Sequence, residues 1–505
     1  MKTILLILTV VFITININSQ TITIEWEKTY GGNTYDQLYA LQTTSDSGYI
    51  AIGASWKSND GFSGNHGKYD YSIIKLNKDG DIIWTKCYGG TDYDMGTDIK
   101  QTTDGGYIVS GYSESANGNI NCTGSNNKAW IAKLNQNGDL VWSKCYGGIN
   151  SDKINSIQQT KDGGYVAVGS SLQIGKMVTS DYYWILKLNS IGDTLWSKHY
   201  GGTEDDMAYS IIQTNDSNYM VAGFTYSFNE DVSDNHGSRD AWILKLDQNG
   251  NIIWSKCYGG SSIENSSYIQ QLADGNFIIA GSSWSDNGDL SSNNGGADAW
   301  IYKINQNGEI LWSKTYGGSD DDIAWKIKQT IDGGFIVAAC WDMYQNSGES
   351  DVWIIKLNQF GEIIWDKYFG GSDIDYGDYV NQTFDGGYIV GATTESSDGD
   401  VSFNHGANDF WIIKLSLISN IGDDSSTNHF NLYPNPTKNN VQIKINNEQL
   451  IGIIEITDIN GRIVKQLTVE NDNNLTIDLS SQAKGIYFVK LIGEGFVSTQ
   501  KLLLE

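Results

Sequence analysis

Apolar and polar residues alternate in short stretches along most of the chain, and each stretch ends in a turn signal. Residues 91–148 show the unit: DMGTDIKQTT alternates, TDGG turns and YIVSGYS is apolar, and after a polar loop come AWIAKL, NQNGD and LVWSKCY. This two-residue periodicity between Asp-Gly and Asn-Gly turns predicts four β-strands, which we call A, B, C and D in chain order. No segment shows the 3.6-residue periodicity of an amphipathic helix, so we predict almost no helix in the mature chain.

The four-strand unit occurs in seven copies, and its most regular part is strand D with the glycine pair that follows. The signature reads EWEKTYGG, IWTKCYGG, VWSKCYGG, LWSKHYGG, IWSKCYGG, LWSKTYGG and IWDKYFGG. The aromatic residue before the glycine pair recurs at intervals of 58, 58, 54, 58, 58 and 53 residues, at Tyr30, Tyr88, Tyr146, Tyr200, Tyr258, Tyr316 and Phe369. Repetition with this period predicts a seven-bladed β-propeller over residues 20–415.

The two ends of the repeat region complement each other. The last copy stops at DFWIIKL, residues 409–415, with no strand D after it, whereas the mature chain begins with TITIEWEKTY, which has the strand D pattern. Lending this N-terminal strand to the last blade would close the ring and leave no open sheet edge. The sequence therefore predicts a propeller closed by its N-terminal strand.

The repeats resemble the bacterial β-propeller repeat families with a YxGG start and a DxxGG middle, over about residues 22–415. These families share a fold and no single activity. The resemblance therefore implies an architecture and leaves the chemistry open.

The segments outside the repeats have their own signatures. Residues 1–19 have one lysine, an apolar run and a small residue at Ser19, which predicts a cleaved signal peptide. Residues 416–428 are polar and unperiodic and are interpreted as a linker. In residues 429–505, apolar residues alternate at Val441, Ile443 and Ile445, which predicts a small antiparallel β-sandwich.

The C-terminal block resembles the type A sorting domain of the type IX secretion system of Bacteroidetes. The matching residues are Tyr433, Pro434, Asn435, Pro436, Gly461, Gly485, Tyr487 and Lys501. The resemblance implies export to the outer cell surface or the extracellular space. The implied partners are the secretion machinery and a sortase-like peptidase that removes the domain. The alternative is a β-sandwich accessory domain such as a carbohydrate-binding module.

Charge and hydropathy exclude some partners. The formal net charge is −27, and this repels the phosphates of nucleic acids. After the N-terminal segment no stretch approaches twenty apolar residues, so we expect no transmembrane segment in the mature chain.

Three of the five cysteines, Cys87, Cys145 and Cys257, occupy the same position on strand D. Outer strands of neighbouring blades are expected to lie roughly 10 Å or more apart, beyond the about 7 Å Cα separation that a disulfide spans. We therefore interpret these cysteines as packing residues and expect neither a disulfide framework nor a metal site.

Binding is expected on the face that carries the long loops. Because neighbouring strands alternate in direction, the B–C loops share one face with the D–A connections. The copies differ at the end of strand B, where they carry Trp56, Glu114, Leu172, Tyr226, Trp284, Asp342 and Glu395. We predict that Tyr226 and Trp284, in neighbouring blades, border a sugar-binding groove, with Trp56 as a further candidate. Alternatively, these rings pack beneath their own loops.

Other polar residues recur for structural reasons. An acid four residues after each glycine pair is interpreted as an acceptor for its own loop, the alternative being a ring of carboxylates that holds a cation; these acids are Asp36, Asp94, Asp152, Asp206, Glu264, Asp322 and Asp375. His66, His236 and His405 lie in NHG triplets of blades one, four and seven, too far apart to share an ion, and are interpreted as turn residues. Asp286, Asp289, Asp398 and Asp400 offer oxygen ligands for calcium, the one cofactor considered, although turns favour aspartate in any case.

These patterns favour a secreted or cell-surface binding or adhesion module, for glycans or for a surface protein. No catalytic motif is present, and no catalytic residue is predicted. The alternative is a polysaccharide-degrading glycosidase or lyase whose carboxylates occur once in the chain and are not recognisable by pattern.

Overall fold

The computed structural model describes residues 21–504 except 57–61, 63, 121, 123–126, 176–177, 291, 342–349, 419–429, 446–450, 459–462, 471–473 and 494–495. Every regular element in these residues is a β-strand, which confirms the predicted all-β fold. Within them, no helix is long and apolar enough to cross a membrane. The signal peptide predicted at 1–19 and most of the linker predicted at 416–428 lie outside the described residues. The chain divides into one unit of Ile22–Leu417 and another that contains Ile418–Glu505.

In the part of the first unit that the structure describes there are twenty-eight strands. They are β1 (Thr21–Tyr30), β2 (Asp36–Thr43), β3 (Tyr49–Trp56), β4 (Tyr69–Leu76), β5 (Ile82–Tyr88), β6 (Asp94–Gln101), β7 (Tyr107–Ser113), β8 (Lys128–Leu134), β9 (Leu140–Tyr146), β10 (Asp152–Gln159), β11 (Tyr165–Gly175), β12 (Val178–Leu188), β13 (Thr194–Tyr200), β14 (Asp206–Gln213), β15 (Tyr219–Thr225), β16 (Asp240–Leu246), β17 (Ile252–Tyr258), β18 (Glu264–Gln271), β19 (Phe277–Ser283), β20 (Asp298–Ile304), β21 (Ile310–Tyr316), β22 (Ile323–Gln329), β23 (Phe335–Trp341), β24 (Asp351–Leu357), β25 (Ile363–Phe369), β26 (Asp375–Gln382), β27 (Tyr388–Thr394) and β28 (Asp409–Ile418).

The strands form four-stranded antiparallel sheets in chain order. Six sheets contain consecutive strands: β2–β5, β6–β9, β10–β13, β14–β17, β18–β21 and β22–β25. A further sheet has the order β1-β28-β27-β26, so the first strand of the unit pairs with the last. Each sheet contacts the next, and β2 contacts β26 and β27. Repeated four-stranded sheets packed in this way fit a β-propeller.

Burial within a sheet explains the sequence pattern. The second and third strands, such as β7 and β8, are buried almost throughout and are apolar on both faces. The outer strand β9 is exposed or half-buried along its whole length. Neighbouring sheets share their cores; for example, Trp130 is fully buried and its ring lies 4.7 Å from that of Tyr71 in the preceding sheet.

In six of the seven sheets, a tyrosine at the end of strand D links the sheet to the following one. Its hydroxyl donates a hydrogen bond to a glycine carbonyl in the C–D turn of the next sheet. The pairs are Tyr30 with Gly80 (2.5 Å), Tyr88 with Gly138, Tyr146 with Gly192 (2.6 Å), Tyr200 with Gly250, Tyr258 with Gly308 (2.7 Å) and Tyr316 with Gly361 (2.5 Å). The seventh copy carries Phe369 at this position.

The expectation that the cysteines form no disulfide is wrong. Cys145 on β9 is bonded to Cys122 in the loop between β7 and β8, with 5.5 Å between their Cα atoms. The prediction considered only bridges between neighbouring sheets, whereas the loop of the same sheet passes beside its own outer strand. Cys87 and Cys257 are free and buried, as expected for packing residues.

The C-terminal unit is a second all-β body. Its strands are β29 (Phe430–Tyr433), β30 (Asn440–Ile445), β31 (Ile451–Asp458), β32 (Ile463–Glu470), β33 (Asn474–Asp478), β34 (Gly485–Gly493) and β35 (Phe496–Leu504). They form sheets of order β29-β30-β33 and β32-β31-β34-β35. The alternating Val441, Ile443 and Ile445 are buried in one core with residues of the other sheet, including Ile454 and Val489.

Candidate functional site

The first strands of all seven sheets line one cavity. Its volume is about 710 Å³, within the roughly 300–1,000 Å³ range of small-molecule sites. Each of these strands has a β-bulge at which one residue is skipped in the Cα register with the second strand, as Trp325 is between Ala324 and Lys326 in β22. A bulge of this kind re-aims side chains. The seven bulge residues all line the cavity: Tyr39, Thr97, Asn155, Tyr209, Ser267, Trp325 and Asp378.

Two lysines of β22 converge on one tyrosine of the neighbouring sheet. The ammonium nitrogen of Lys326 lies 4.0 Å from the centroid of the Tyr268 ring. The ammonium of Lys328 donates a 2.5 Å hydrogen bond to the Tyr268 hydroxyl. Burial lowers the pKa of each lysine to about 8, and the positive charge of Lys100 contributes in the same direction. Because both pKa values remain above 7, the two side chains are mostly charged at neutral pH, and this wall of the cavity is positive.

The remaining charged groups of the cavity lie on β6 and β26. Asp98 is buried, is ion-paired with Lys100 and accepts a 3.0 Å hydrogen bond from the backbone N–H of Ile157. Asp378 is half-buried; burial raises its pKa to about 8, and the charge of Lys326 opposes this shift. Asp378 is therefore largely protonated at neutral pH.

The sequence-predicted aromatic residues lie outside this cavity. Trp56 is half-buried and packs edge-on against Tyr69 with 4.9 Å between ring centroids. Tyr226 is half-buried, and the guanidinium of Arg239 lies 5.5 Å from its ring centroid. Trp284 is also half-buried, and among the described residues no ring contact joins it to Tyr226.

The acids that follow the glycine pairs act within their own loops. Each accepts a hydrogen bond from the backbone N–H of the second glycine, at 2.7–2.9 Å. Burial raises the pKa of four of them to about 6: Asp36, Asp94, Asp206 and Asp375. None of the seven lines the cavity, so their contacts agree with the predicted structural role.

The NHG histidines also serve their loops. The Nδ1 atoms of His66, His236 and His405 lie 2.6–2.7 Å from the carboxylates of Asp70, Asp240 and Asp409 respectively. In the fifth sheet, Asn294 makes the same contact with Asp298. An amide can replace the imidazole here, which indicates a turn role. Among the described residues, no three acidic, histidine or cysteine side chains form a metal-binding group.

The calcium candidates occupy turn positions in two different sheets. Asp289 accepts a 3.1 Å hydrogen bond from the backbone N–H of Gly259. Asp398 accepts a 2.8 Å hydrogen bond from the backbone N–H of Ser372, and Asn117 does the same for Thr91 at 3.0 Å. Asp400 accepts one from Gly370, whereas Asp286 is simply exposed. These contacts are those of turn residues, and calcium binding stays a prediction.

The binding site was predicted at the end of strand B, and the charged wall of the cavity was not predicted. A comparison of the seven copies along strand A would have identified this wall. The residue after the bulge is Ala40, Asp98, Ser156, Ser210, Tyr268, Lys326 or Tyr379, whereas the next residue is Leu, Ile or Val in every copy.

In the C-terminal unit, the structure brings together motif residues that are distant in sequence. The Asn435 side chain donates a 2.6 Å hydrogen bond to the carbonyl of Lys501 and accepts one from the N–H of Leu503 at 3.0 Å. Tyr433 is exposed, and Pro434 and Pro436 flank Asn435.

The other motif positions lie at the second sheet of this unit. Gly485 begins β34, on which Tyr487 is buried and donates to the carbonyl of Ala483 at 2.6 Å. The Lys501 side chain is exposed. Gly461 lies outside the described residues.

Residues 431–505 match a family model described as a secretion system C-terminal sorting domain. The predicted type IX sorting domain is thereby confirmed for this segment. It marks the protein as exported by type IX secretion to the cell surface or the extracellular space. The chain is thus an exported protein whose larger unit has a propeller-like fold.

Comparison with other proteins adds likenesses at low identity. The Neurospora crassa Pan2 WD40 domain is 8% identical, with a TM-score of 0.44 over 78% of this chain and 96% of that chain. A puromycin hydrolase is 8% identical, with a TM-score of 0.42 over 73% and 53%. A member of the DUF4221 family from Bacteroides vulgatus is 9% identical, with a TM-score of 0.34 over 79% and 98%. No curated protein was found to match the chain.

Proposed function

We propose that this exported protein is a binding protein whose ligand lies in the cavity between the first strands. One observation carries the proposal: the repeat is broken at the cavity wall. A residue that only builds the sheet is alike in all copies, as are the apolar residues Leu41, Ile99 and Ile327 of strand A. The bulge residue and its successor differ from copy to copy and present charged, aromatic and amide groups to the cavity. A ligand of low symmetry is recognised by such a wall.

The proposal includes a closed ring of seven blades, in which β1 is the fourth strand of the seventh blade. The exception at Phe369 supports it. By analogy with the other copies, a tyrosine hydroxyl at this position would donate a hydrogen bond to a carbonyl in the C–D turn of the seventh blade. That turn does not exist, because β28 and β1 are the two ends of the unit. Phenylalanine therefore stands at the one place where a closed ring of this design offers no acceptor.

Glycans and surface proteins are the partners we propose for the exported protein. The pairing of Asn, Gln and Ser side chains with Tyr and Trp rings in the cavity suits sugars, because rings stack on the apolar face while amides and hydroxyls bind the rim. Trp56, Tyr226 and Trp284 stay candidates for a separate contact on the loop face, since each ring is half-buried and thus partly open to solvent.

A glycan-binding screen of the full chain tests the cavity, with Ser267→Trp as the decisive variant. Tryptophan is the natural residue at the equivalent position of the sixth sheet, Trp325. The sheet therefore accommodates it, while the larger ring fills the cavity. We expect binding to fall at least roughly tenfold, because a ring of this size displaces the ligand. Lys78→Trp, on an exposed turn, is the control and should bind normally. Equal binding by both variants would place the ligand elsewhere.

A second candidate function is glycoside hydrolysis, favoured by the different environments of Asp98 and Asp378. One carboxyl with a raised pKa and one held in an ion pair are the acid and the base or nucleophile that such enzymes need. Release of reducing ends from a bound glycan, and its loss in Asp378→Asn with binding retained, would support this function. Absence of turnover for every glycan that binds would contradict it.

A further inference from the structure

Lys326 and Lys328 are half-buried and differ from the lysines of strand C in the ion pairs that they make. In every copy, a lysine near the end of strand C is ion-paired with an aspartate of the A–B turn, for example Lys75 with Asp46 and Lys356 with Asp332, both at 2.9 Å. In the cavity, Lys100 is likewise paired with Asp98. Among the described residues, however, no carboxylate lies within ion-pair distance of Lys326 or Lys328. Asp98 acts electrostatically on both ammonium groups, and Lys326 interacts in the same way with Asp378, but neither carboxylate forms an ion pair with them.

The two ammonium groups without an ion pair lie around the same tyrosine ring. Both lie within 5 Å of the centroid of the Tyr268 ring, at 4.0 and 4.8 Å. Lys328 lowers the pKa of Lys326 by charge repulsion, and an oxyanion bound beside them would reduce this repulsion and accept charged hydrogen bonds. The Tyr268 hydroxyl accepts the bond from Lys328 and keeps its own proton to donate. The two lysines and the tyrosine are therefore three hydrogen-bond donors on one part of the cavity wall.

The rest of the cavity indicates what carries the anion. The bulge residue Trp325 precedes Lys326 on β22 and contributes an aromatic ring to the cavity wall. Ser267 and Gln270 on the neighbouring strand β18 contribute a hydroxyl and an amide. Aromatic rings and neutral hydrogen-bonding groups suit the faces and hydroxyls of a sugar. An inorganic anion alone would contact only the lysines and would leave most of the 710 Å³ cavity unfilled.

We propose that the cavity binds a carboxylated saccharide, such as an oligosaccharide of uronic acids, with its carboxylate between Lys326 and Lys328. This inference rests on the proposed binding function and names the ligand class. It also explains how a protein with a net charge of −27 binds an acidic sugar, since the local charge at this wall is positive.

The test measures binding of trigalacturonate, the neutral trisaccharide of galactose and inorganic phosphate to the full chain by titration calorimetry. The repeat itself supplies the variants. Lys328→Gln introduces the residue found at this position as Gln42, Gln158 and Gln270. Lys326→Ser introduces the residue found there as Ser156 and Ser210. Lys78→Gln removes one charge from an exposed turn and is the control.

We expect trigalacturonate to bind and to lose roughly 10- to 100-fold in affinity with each cavity variant, as charged hydrogen bonds are lost. Lys78→Gln should leave its affinity unchanged, and Lys328→Arg should retain most of it. Equal affinity for the neutral sugar, tighter binding of phosphate, unchanged binding by both variants, or no binding of trigalacturonate would each overturn the inference. If the neutral trisaccharide binds and Ser267→Trp abolishes its binding, the proposed binding function of the cavity is supported, and only the carboxylate site is refuted.

The affinity for trigalacturonate should depend on pH if the two lysines bind its carboxylate, whereas a purely structural role of these lysines predicts no such dependence. Both lysines have a pKa of about 8, so their charge is lost as the pH rises through that value. Asp378, also with a pKa of about 8, gains negative charge over the same interval. Both changes weaken anion binding, and affinity should fall between pH 7 and 9. The other titratable groups near the two lysines are Asp98, Lys100, Tyr268 and Tyr379. A flat profile would contradict the assignment.

Discussion

Strand β1 is expected to stabilise the propeller unit through Tyr30, and alanine at this position removes that contribution. The Tyr30 side chain is 7% exposed and packs in a core that contains Phe410 of β28 and Tyr49 of β3. Its hydroxyl donates a hydrogen bond to the carbonyl of Gly80 at 2.5 Å. One residue therefore connects the last sheet with the first.

The size of the effect follows from these contacts. Loss of a buried aromatic side chain costs about 3–5 kcal/mol. Tyr30→Phe keeps the ring and removes only the hydroxyl, which leaves the Gly80 carbonyl unsatisfied at a cost of about 1–3 kcal/mol. Tyr258→Phe removes the same bond between the fourth and fifth sheets and should cost a similar amount if the two junctions are equivalent. Phe369→Tyr adds a hydroxyl where we expect no acceptor, so it should give no stabilisation.

Urea unfolding followed by tryptophan fluorescence measures these differences. All 17 tryptophans lie before residue 418, so the signal reports the propeller unit without the C-terminal unit. Deletion of residues 20–32 should lower stability more than Tyr30→Ala, because it also removes Trp26. An unchanged midpoint in Tyr30→Ala, or a clear stabilisation by Phe369→Tyr, would show that the ring is not closed by β1.

Three further outcomes are expected. Mass spectrometry of the exported protein should recover no peptides after about Asn431, because the sorting domain is removed; intact peptides ending at Glu505 would contradict this. Cys122→Ser should lower the free energy of unfolding by about 2–4 kcal/mol, through loss of the disulfide constraint on the unfolded chain, and non-reducing peptide mapping of the parent protein should show the cross-linked pair. Tyr226→Ala combined with Trp284→Ala should reduce binding to glycans or cell surfaces with little change in melting temperature; a loss of several kcal/mol would make these rings core residues.

Repetition made the secondary structure predictable. A strand that recurs seven times must satisfy the same burial pattern each time, so the D strand motif and the Asp-Gly turns predict four strands per copy without knowledge of their neighbours. The alternation at Val441, Ile443 and Ile445 likewise predicts a buried face, because side chains of a strand point to opposite sides in turn. The sorting domain was recognisable because its motif residues recur in a fixed order over some seventy-five residues.

The disulfide and the cavity could not be predicted in the same way. Whether Cys122 reaches Cys145 depends on the path of an irregular loop, which no periodicity constrains. The cavity wall depends on the bulge in each first strand, because it shifts the register and so decides which of three consecutive residues face inward.

The sequence alone determined the strands, their grouping into repeated sheets and the export signal at the C-terminus, because local alternation, turn residues and ordered motifs are properties of neighbouring positions. Only the tertiary structure placed Lys326 and Lys328 beside Tyr268, where among the described residues neither forms an ion pair. That arrangement joins residues of different sheets across roughly sixty positions of the chain, and their shared environment arises from packing that the local pattern does not specify.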